Sequence, residues 1–140
     1  MQAKLWTAIM MSTLFGFPAS VVHTQSNGSD DDHHRKFDLV SISDDGAQAD
    51  NDNDRASISA DGRFVAFTSI AENLVPADTN FSSDVFVRDR KTDTIERVSV
   101  GPLGVEGHGN SGWQGGLGSA DISRDGRFVA FASEASNFVL

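Results

Sequence analysis

The sequence contains no cysteine. Disulfides, thiolate metal sites, thiol nucleophiles and a lipid-bearing cysteine are thereby excluded. Positive charge is scarce, with 11 Lys and Arg against 20 Asp and Glu and a net charge of −9. Every acidic residue follows position 25, so the chain beyond that point is more acidic still. Nucleic acid and anionic membranes call for a basic patch and are not expected partners. Long apolar runs are also missing. The one candidate, Leu5 to Phe17 (LWTAIMMSTLFGF), is too short to span a bilayer comfortably. With Lys4 before it and Pro18, Ala19 and Ser20 after it, Met1 to Thr24 reads as a secretory signal cut between Ala19 and Gln25. That reading implies a periplasmic or extracellular protein with no membrane span once the signal is removed. An uncleaved anchor or a buried strand is the alternative.

What the chain does contain is a repeat. Ile58 to Phe67, ISADGRFVAF, returns as Ile122 to Phe131, ISRDGRFVAF, which points to copies of one structural unit. Asp61-Gly62 is a hairpin-turn pair in which Gly supplies positive φ. In the run that follows, Phe64, Ala66 and Thr68 point one way and Val65, Phe67 and Ser69 the other. Both faces are largely apolar, so this strand expects cover on both sides, as when sheets stack.

In chain order, Gln25 to Lys36 (QSNGSDDDHHRK) is polar and charged and reads as a disordered acidic linker. Strands are expected at Phe37 to Ser43, Ala56 to Ala60, Arg63 to Ile70, Asp84 to Asp89 and Thr94 to Val100. Glu96 and Arg97 suit an exposed edge. A glycine-rich connection, 101–119, precedes a restart at Ala120. Val40-Ser41-Ile42 matches Val98-Ser99-Val100 at an offset of 58, and Ser59 matches Ser123 at 64. The difference of six is an insertion in the glycine-rich connection, and Phe37 to Ser43 looks like the last strand of a preceding unit.

Three stretches carry a family resemblance: SISADGRFVAFTS, NLVPADTN and DVFVRDRKTDTIERVSV. They resemble the WD-repeat-like β-propeller repeats of the TolB type, found in secreted and periplasmic bacterial proteins. The resemblance covers Phe37 to Leu140. It implies an all-β fold of four-stranded antiparallel blades around a channel: one full blade at 55–100, part of a second at 120–140, and one orphan strand. A closed propeller takes roughly four to eight blades, so the missing blades are expected from the rest of a longer chain or from other chains. Two positions depart from the family. Phe81 stands where the family usually has Gly after Asp-Thr-Asn, and Thr92-Asp93 stands where it has Thr-Gly. Asp can enter the left-handed region.

Chemistry-bearing constellations are sparse. Asp78, Asn80 and Asp84 form D-x-N-x-x-x-D in a loop, a spacing of oxygen ligands that suits Ca²⁺, though a full shell needs about six to eight oxygens. Asx-turn bonding is the structural alternative. Asp50, Asp52 and Asp54 also alternate, but Arg55 replaces the glycine of an EF-hand loop and strand follows rather than helix. Asp30 to Asp32 with His33 and His34 read as a solvated charge run. His108 and Ser111 lie in HGNSGWQGG, without the G-x-S-x-G elbow of a serine hydrolase. Trp113 there reads as a hydrophobic anchor.

The expectation is a secreted binding or scaffold module with no catalysis and no cofactor of its own, calcium apart, meeting a protein or small-molecule ligand through its loops. The alternatives are the propeller portion of a larger hydrolase, or a truncated fragment without function.

Overall fold

The computed structural model describes residues 8–11, 20–24, 36–112 and 120–138, with side chains from Phe37 onward. The expected linker up to Arg35, the glycine-rich stretch 113–119 with Trp113, and the remainder of the expected signal lie outside the described residues. Within them the chain is all-β, apart from a single 3-10 turn at Pro102–Gly104. β1 (Ala8–Met11), β2 (Ser20–Thr24) and β3 (Lys36–Leu39) form an antiparallel sheet in that order. β1 and β2 fall in the stretch read as a signal. β4 (Asn53–Ile58), β5 (Phe64–Ser69), β6 (Asp84–Asp89) and β7 (Thr94–Arg97) form a four-stranded antiparallel meander. β8 (Asp121–Ile122) and β9 (Val129–Ala130) restart it.

The turns follow from the residues expected to make them. Gly62 and Gly126 adopt φ of 73° and 70°, which L-residues reach only at a cost. In both turns a serine closes the loop. The Ser59 hydroxyl donates to Asp61 Oδ1 at 2.6 Å and accepts the Phe64 N–H at 3.0 Å. Ser123, Asp125 and Phe128 repeat this at 2.6 and 3.0 Å. Asp93 sits at φ 60°, so Asp does take the left-handed place expected of Gly.

β5 is covered on both faces, as its two apolar stripes require. Val65 and Phe67 join Phe86, Ile95, Val40, Ala49, Ala71 and Leu74 in one buried cluster. The Phe67 and Phe86 rings stack 5.8 Å apart across the β5–β6 pair. Ala66 and Val85 face the other way, against Ala120, Ile122, Val129 and Phe131 of the second unit. Burying a side chain of this size is worth about 1.5–3 kcal/mol, so the central strand anchors both layers.

The joints between units repeat as closely as the turns do. Asn73 Nδ2 donates to the Gln48 carbonyl at 2.7 Å, and its Oδ1 accepts the Asp50 N–H at 3.1 Å. Asn137 Nδ2 donates to the Glu106 carbonyl at 2.9 Å, and its Oδ1 accepts the His108 N–H at 3.0 Å. Ser41 and Ser99 are both fully buried. Ile42 bridges Gln48 as Val100 bridges Glu106. The offsets of 58 and 64 thus hold in three dimensions, and the change between them falls within 113–119.

Strand ends differ from expectation where a side chain takes over from the backbone. β7 stops at Arg97. The Val98 N–H still donates to the Val85 carbonyl at 2.8 Å, but the Val85 N–H donates to the Ser99 hydroxyl at 3.0 Å. β4 begins at Asn53, earlier than expected, and carries a register shift between Asp54 and Ala56, where Arg55 has φ 32°.

Candidate functional site at the long-loop end

A meander has two ends, and here they are unequal. The β4–β5 and β6–β7 connections are tight turns, whereas β5 and β6 are joined by the long loop 70–83. At that loop's base the structure gathers Asp78, Asn80 and Asp84, the three residues expected to bind calcium. It gathers them around a guanidinium. Arg97 Nη1 lies 2.9 Å from Asp78, 3.3 Å from Asp84 and 3.4 Å from Glu106. Its Nη2 donates to the Ala77 carbonyl at 3.2 Å. Arg97 is therefore not the solvated edge residue expected from Glu96-Arg97. Its side chain is only 9% exposed, because it shares the parity of Ile95 and points to the covered face, while Glu96 points to solvent.

The remaining polar atoms of the cluster are matched with one another. Asp84, fully buried, accepts from the Ser99 hydroxyl and, at 3.1 Å, from Asn80 Nδ2. Asn80 Nδ2 also reaches the Gly107 carbonyl at 3.0 Å, and its Oδ1 accepts the Ser82 N–H at 2.9 Å in an Asx turn. Glu106 accepts the Thr79 hydroxyl at 2.6 Å and the Thr79 N–H at 3.0 Å. These bonds hold the Glu106 carboxyl below its ordinary range, the Thr79 hydroxyl most of all. Burial has the opposite effect on Asp78. It raises that carboxyl from 3.8 to about 6, against the pull of Arg97 and with help from the Asp84 and Glu106 charges. Among the described residues no group of three or more His, Asp or Glu side chains is arranged to hold a metal ion. The cluster is a hydrogen-bonded joint, one guanidinium among three carboxylates, between the loop, β6, β7 and the bridge segment at Glu106.

Above this joint the loop presents Phe81. Its side chain is 81% exposed and its backbone φ is 53°. An L-residue in this left-handed conformation is strained by about 1–2 kcal/mol. Ala77 in the same loop has φ 60°.

The other sequence candidates do not assemble. The Ser111 hydroxyl is buried and bonded to that of Ser133 at 2.9 Å, while His108 is exposed. Asp50 and Asp52 lie on an exposed turn, where Asp50 Oδ1 accepts the Glu72 N–H at 3.1 Å. A cleft of about 470 Å³ is lined by Phe37, Asp38, Arg88, Arg90 and Asp93 among others. Its two guanidiniums are paired with Asp93 and Asp38, and Arg88 Nη1 also donates to the Ile42 carbonyl at 3.0 Å.

No family model and no curated protein matches this sequence. The chain's own geometry therefore carries the assignment of the site. Arg97 and Glu106 escaped the sequence reading because they join the loop only through tertiary contacts, Arg97 with Asp78 and Asp84 and Glu106 with Thr79. A charge in register with Ile95 and opposite Phe86 was the available signal, since a charge on an apolar face requires a buried partner.

Proposed function

We propose that this protein is a secreted, repeat-built β module of the propeller type that binds a protein or other ligand and performs no chemistry of its own. Its recognition surface is the long-loop end, with Phe81 as the aromatic anchor and the Arg97 joint as the rigid base beneath it. The observation that carries this reading is the exposed Phe81 ring on a left-handed backbone. Aromatic anchors on rigidly supported loops dominate binding energetics, and a strained backbone retained under one supports a binding role. The joint supports it too, because it ties the loop's base to β6, β7 and the bridge segment at Glu106. The blade-like meander, its cover on both faces and the repeated joints support a propeller architecture.

A photo-reactive phenylalanine analogue at position 81, compared with one at exposed Lys91 at the short-turn end, tests the site. Expressed in its natural source with its full chain, the protein should give one discrete adduct from position 81 and none from position 91. Equal labelling from both positions, or none from 81, would remove the long-loop end as the binding surface.

A further inference from the structure

A second cleft, of about 350 Å³, lies where the turn after β3 meets the long loop and β7. Four apolar residues line it: Leu74, Val75, Pro76 and Ile95. Leu74 and Ile95 are buried and Val75 is half-buried. Asp44 and Asp45 line it as well, and both are exposed. Each has one oxygen engaged. Asp44 Oδ1 accepts the Ile95 N–H at 2.8 Å, and Asp45 Oδ1 accepts the Ser43 hydroxyl. No other described residue donates to Oδ2 of either carboxylate. The Ser43 hydroxyl, above all, holds the Asp45 carboxyl below its ordinary range, so it stays charged. Arg88 Nη1 lies 3.7 Å from Asp44 Oδ1, but Arg88 is also bonded to Asp93. One guanidinium therefore stands against three carboxylates, and the cleft is negative.

The repeat supplies a comparison. At the offset of 58, Pro102 and Leu103 stand in place of Asp44 and Asp45. The same backbone bonds close both turns. The Ser43 and Gly46 N–H groups donate to the Ala47 and Ser43 carbonyls at 2.8 and 3.1 Å. The Gly101 and Gly104 N–H groups donate to the Val105 and Gly101 carbonyls at 2.7 and 3.1 Å. The turn's backbone bonds thus form without the acidic pair, which belongs to the first joint and not to the repeat.

We propose that this cleft binds a primary ammonium group carried on an alkyl stem. The stem lies along the four apolar residues, where its methylenes leave water. The ammonium donates to the unengaged oxygens of Asp44 and Asp45, a charge-assisted pairing. An apolar wall with a few polar groups of one sign, in a cleft of this size, is the usual form of a small-ligand site. The chain's net charge of −9 favours a cation over an anion there. Phe81 does not line the cleft, so this inference and the Phe81 reading can fail separately.

The test is titration of the isotope-labelled full chain with hexylamine, which is protonated at neutral pH, followed by amide NMR shifts. Saturable shifts are expected at Asp44, Asp45, Leu74 and Val75. Hexanol, with the same stem and no charge, should bind roughly tenfold more weakly. Asp45→Asn keeps an oxygen for the Ser43 hydroxyl and should also weaken hexylamine binding roughly tenfold. A lysine blocked at both its backbone ends separates the two sources of such an ammonium. Binding as tight as hexylamine's identifies a lysine side chain of a polypeptide, and weaker binding identifies a free amine. No saturable shift, equal binding of hexanol, the same shifts with ammonium chloride, or undiminished binding by Asp45→Asn would overturn the inference.

Discussion

The Phe138 ring stands against Gly107, with its Cζ 3.0 Å from where a side chain on that glycine would begin. One repeat earlier the matching pair is Leu74 and Ala49, both in the main buried cluster. The larger partner at one joint faces the smaller partner's loss of a methyl, so volume is conserved across the two. Gly107 does not occupy a left-handed conformation, so the cost of a side chain there is steric and is set by how far Phe138 and Ala135 can give way. Gly107→Ala should destabilise by about 1–3 kcal/mol through overpacking. Adding Phe138→Leu should recover most of that loss, which a double-mutant cycle by urea denaturation would measure.

Gly62 and Gly126 share a turn and a dihedral but not a neighbour. A side chain at Gly62 would meet only the Arg90 guanidinium at 3.7 Å, whereas one at Gly126 would lie 2.4 Å from Phe64 Cδ2. Gly62→Ala should cost about 1–2 kcal/mol, the penalty of the left-handed backbone. Gly126→Ala should cost distinctly more. Equal losses in thermal melts would mean that the Phe64 contact between units contributes nothing.

Phe81 is expected to be a residue the fold would do better without. Phe81→Gly should raise stability by about 1 kcal/mol, since the strain at φ 53° is relieved and little packing is lost. Glycine's freedom in the unfolded chain offsets part of the gain. The same substitution should abolish the adduct-forming interaction, and a change that stabilises while removing binding identifies a functional side chain.

Asp78 makes stability depend on pH in an unusual direction. Its carboxyl titrates near 6 in the folded chain against an ordinary 3.8, so the folded state binds this proton more tightly than the unfolded state does. Its contribution is complete below the ordinary value and is lost as pH rises through about 6, a change on the order of 2 kcal/mol. Asp89 acts oppositely: Arg63 holds its carboxyl low, so its contribution is present above the ordinary carboxylate range and lost in acid. Asp78→Asn should flatten the stability profile between pH 4 and 7 and leave the acid limb in place. Denaturant midpoints across that range check it.

Arg97 sets one positive charge against three carboxylates, two of them almost wholly buried. Arg97→Ala should cost about 3–5 kcal/mol, because those charges are left without a partner. Since the guanidinium stands where a cation was expected, millimolar Ca²⁺ or EDTA should shift the melting temperature of the native chain little. A large rise with Ca²⁺ would show that calcium displaces or supplements Arg97.

Local residue patterns were enough for the repeat, the two glycine turns, the extent of β6 and the two-sided cover of β5. Each depends on alternation along a strand or on a dihedral that few residues tolerate, and both are written in short windows. The same holds for Asp93, whose left-handed place follows from Asp's own conformational range. The tertiary structure alone decided what Asp78, Asn80 and Asp84 face. Spacing in a loop states which oxygens lie near one another, but not that a guanidinium from β7 arrives between them. It also decided that β7 gives way to Ser99, that Gly107 makes room for Phe138, and that Phe81 is strained and exposed. These depend on register and on contacts between units distant in sequence, where the identity of a neighbour is set by packing rather than by the chain's own succession of residues.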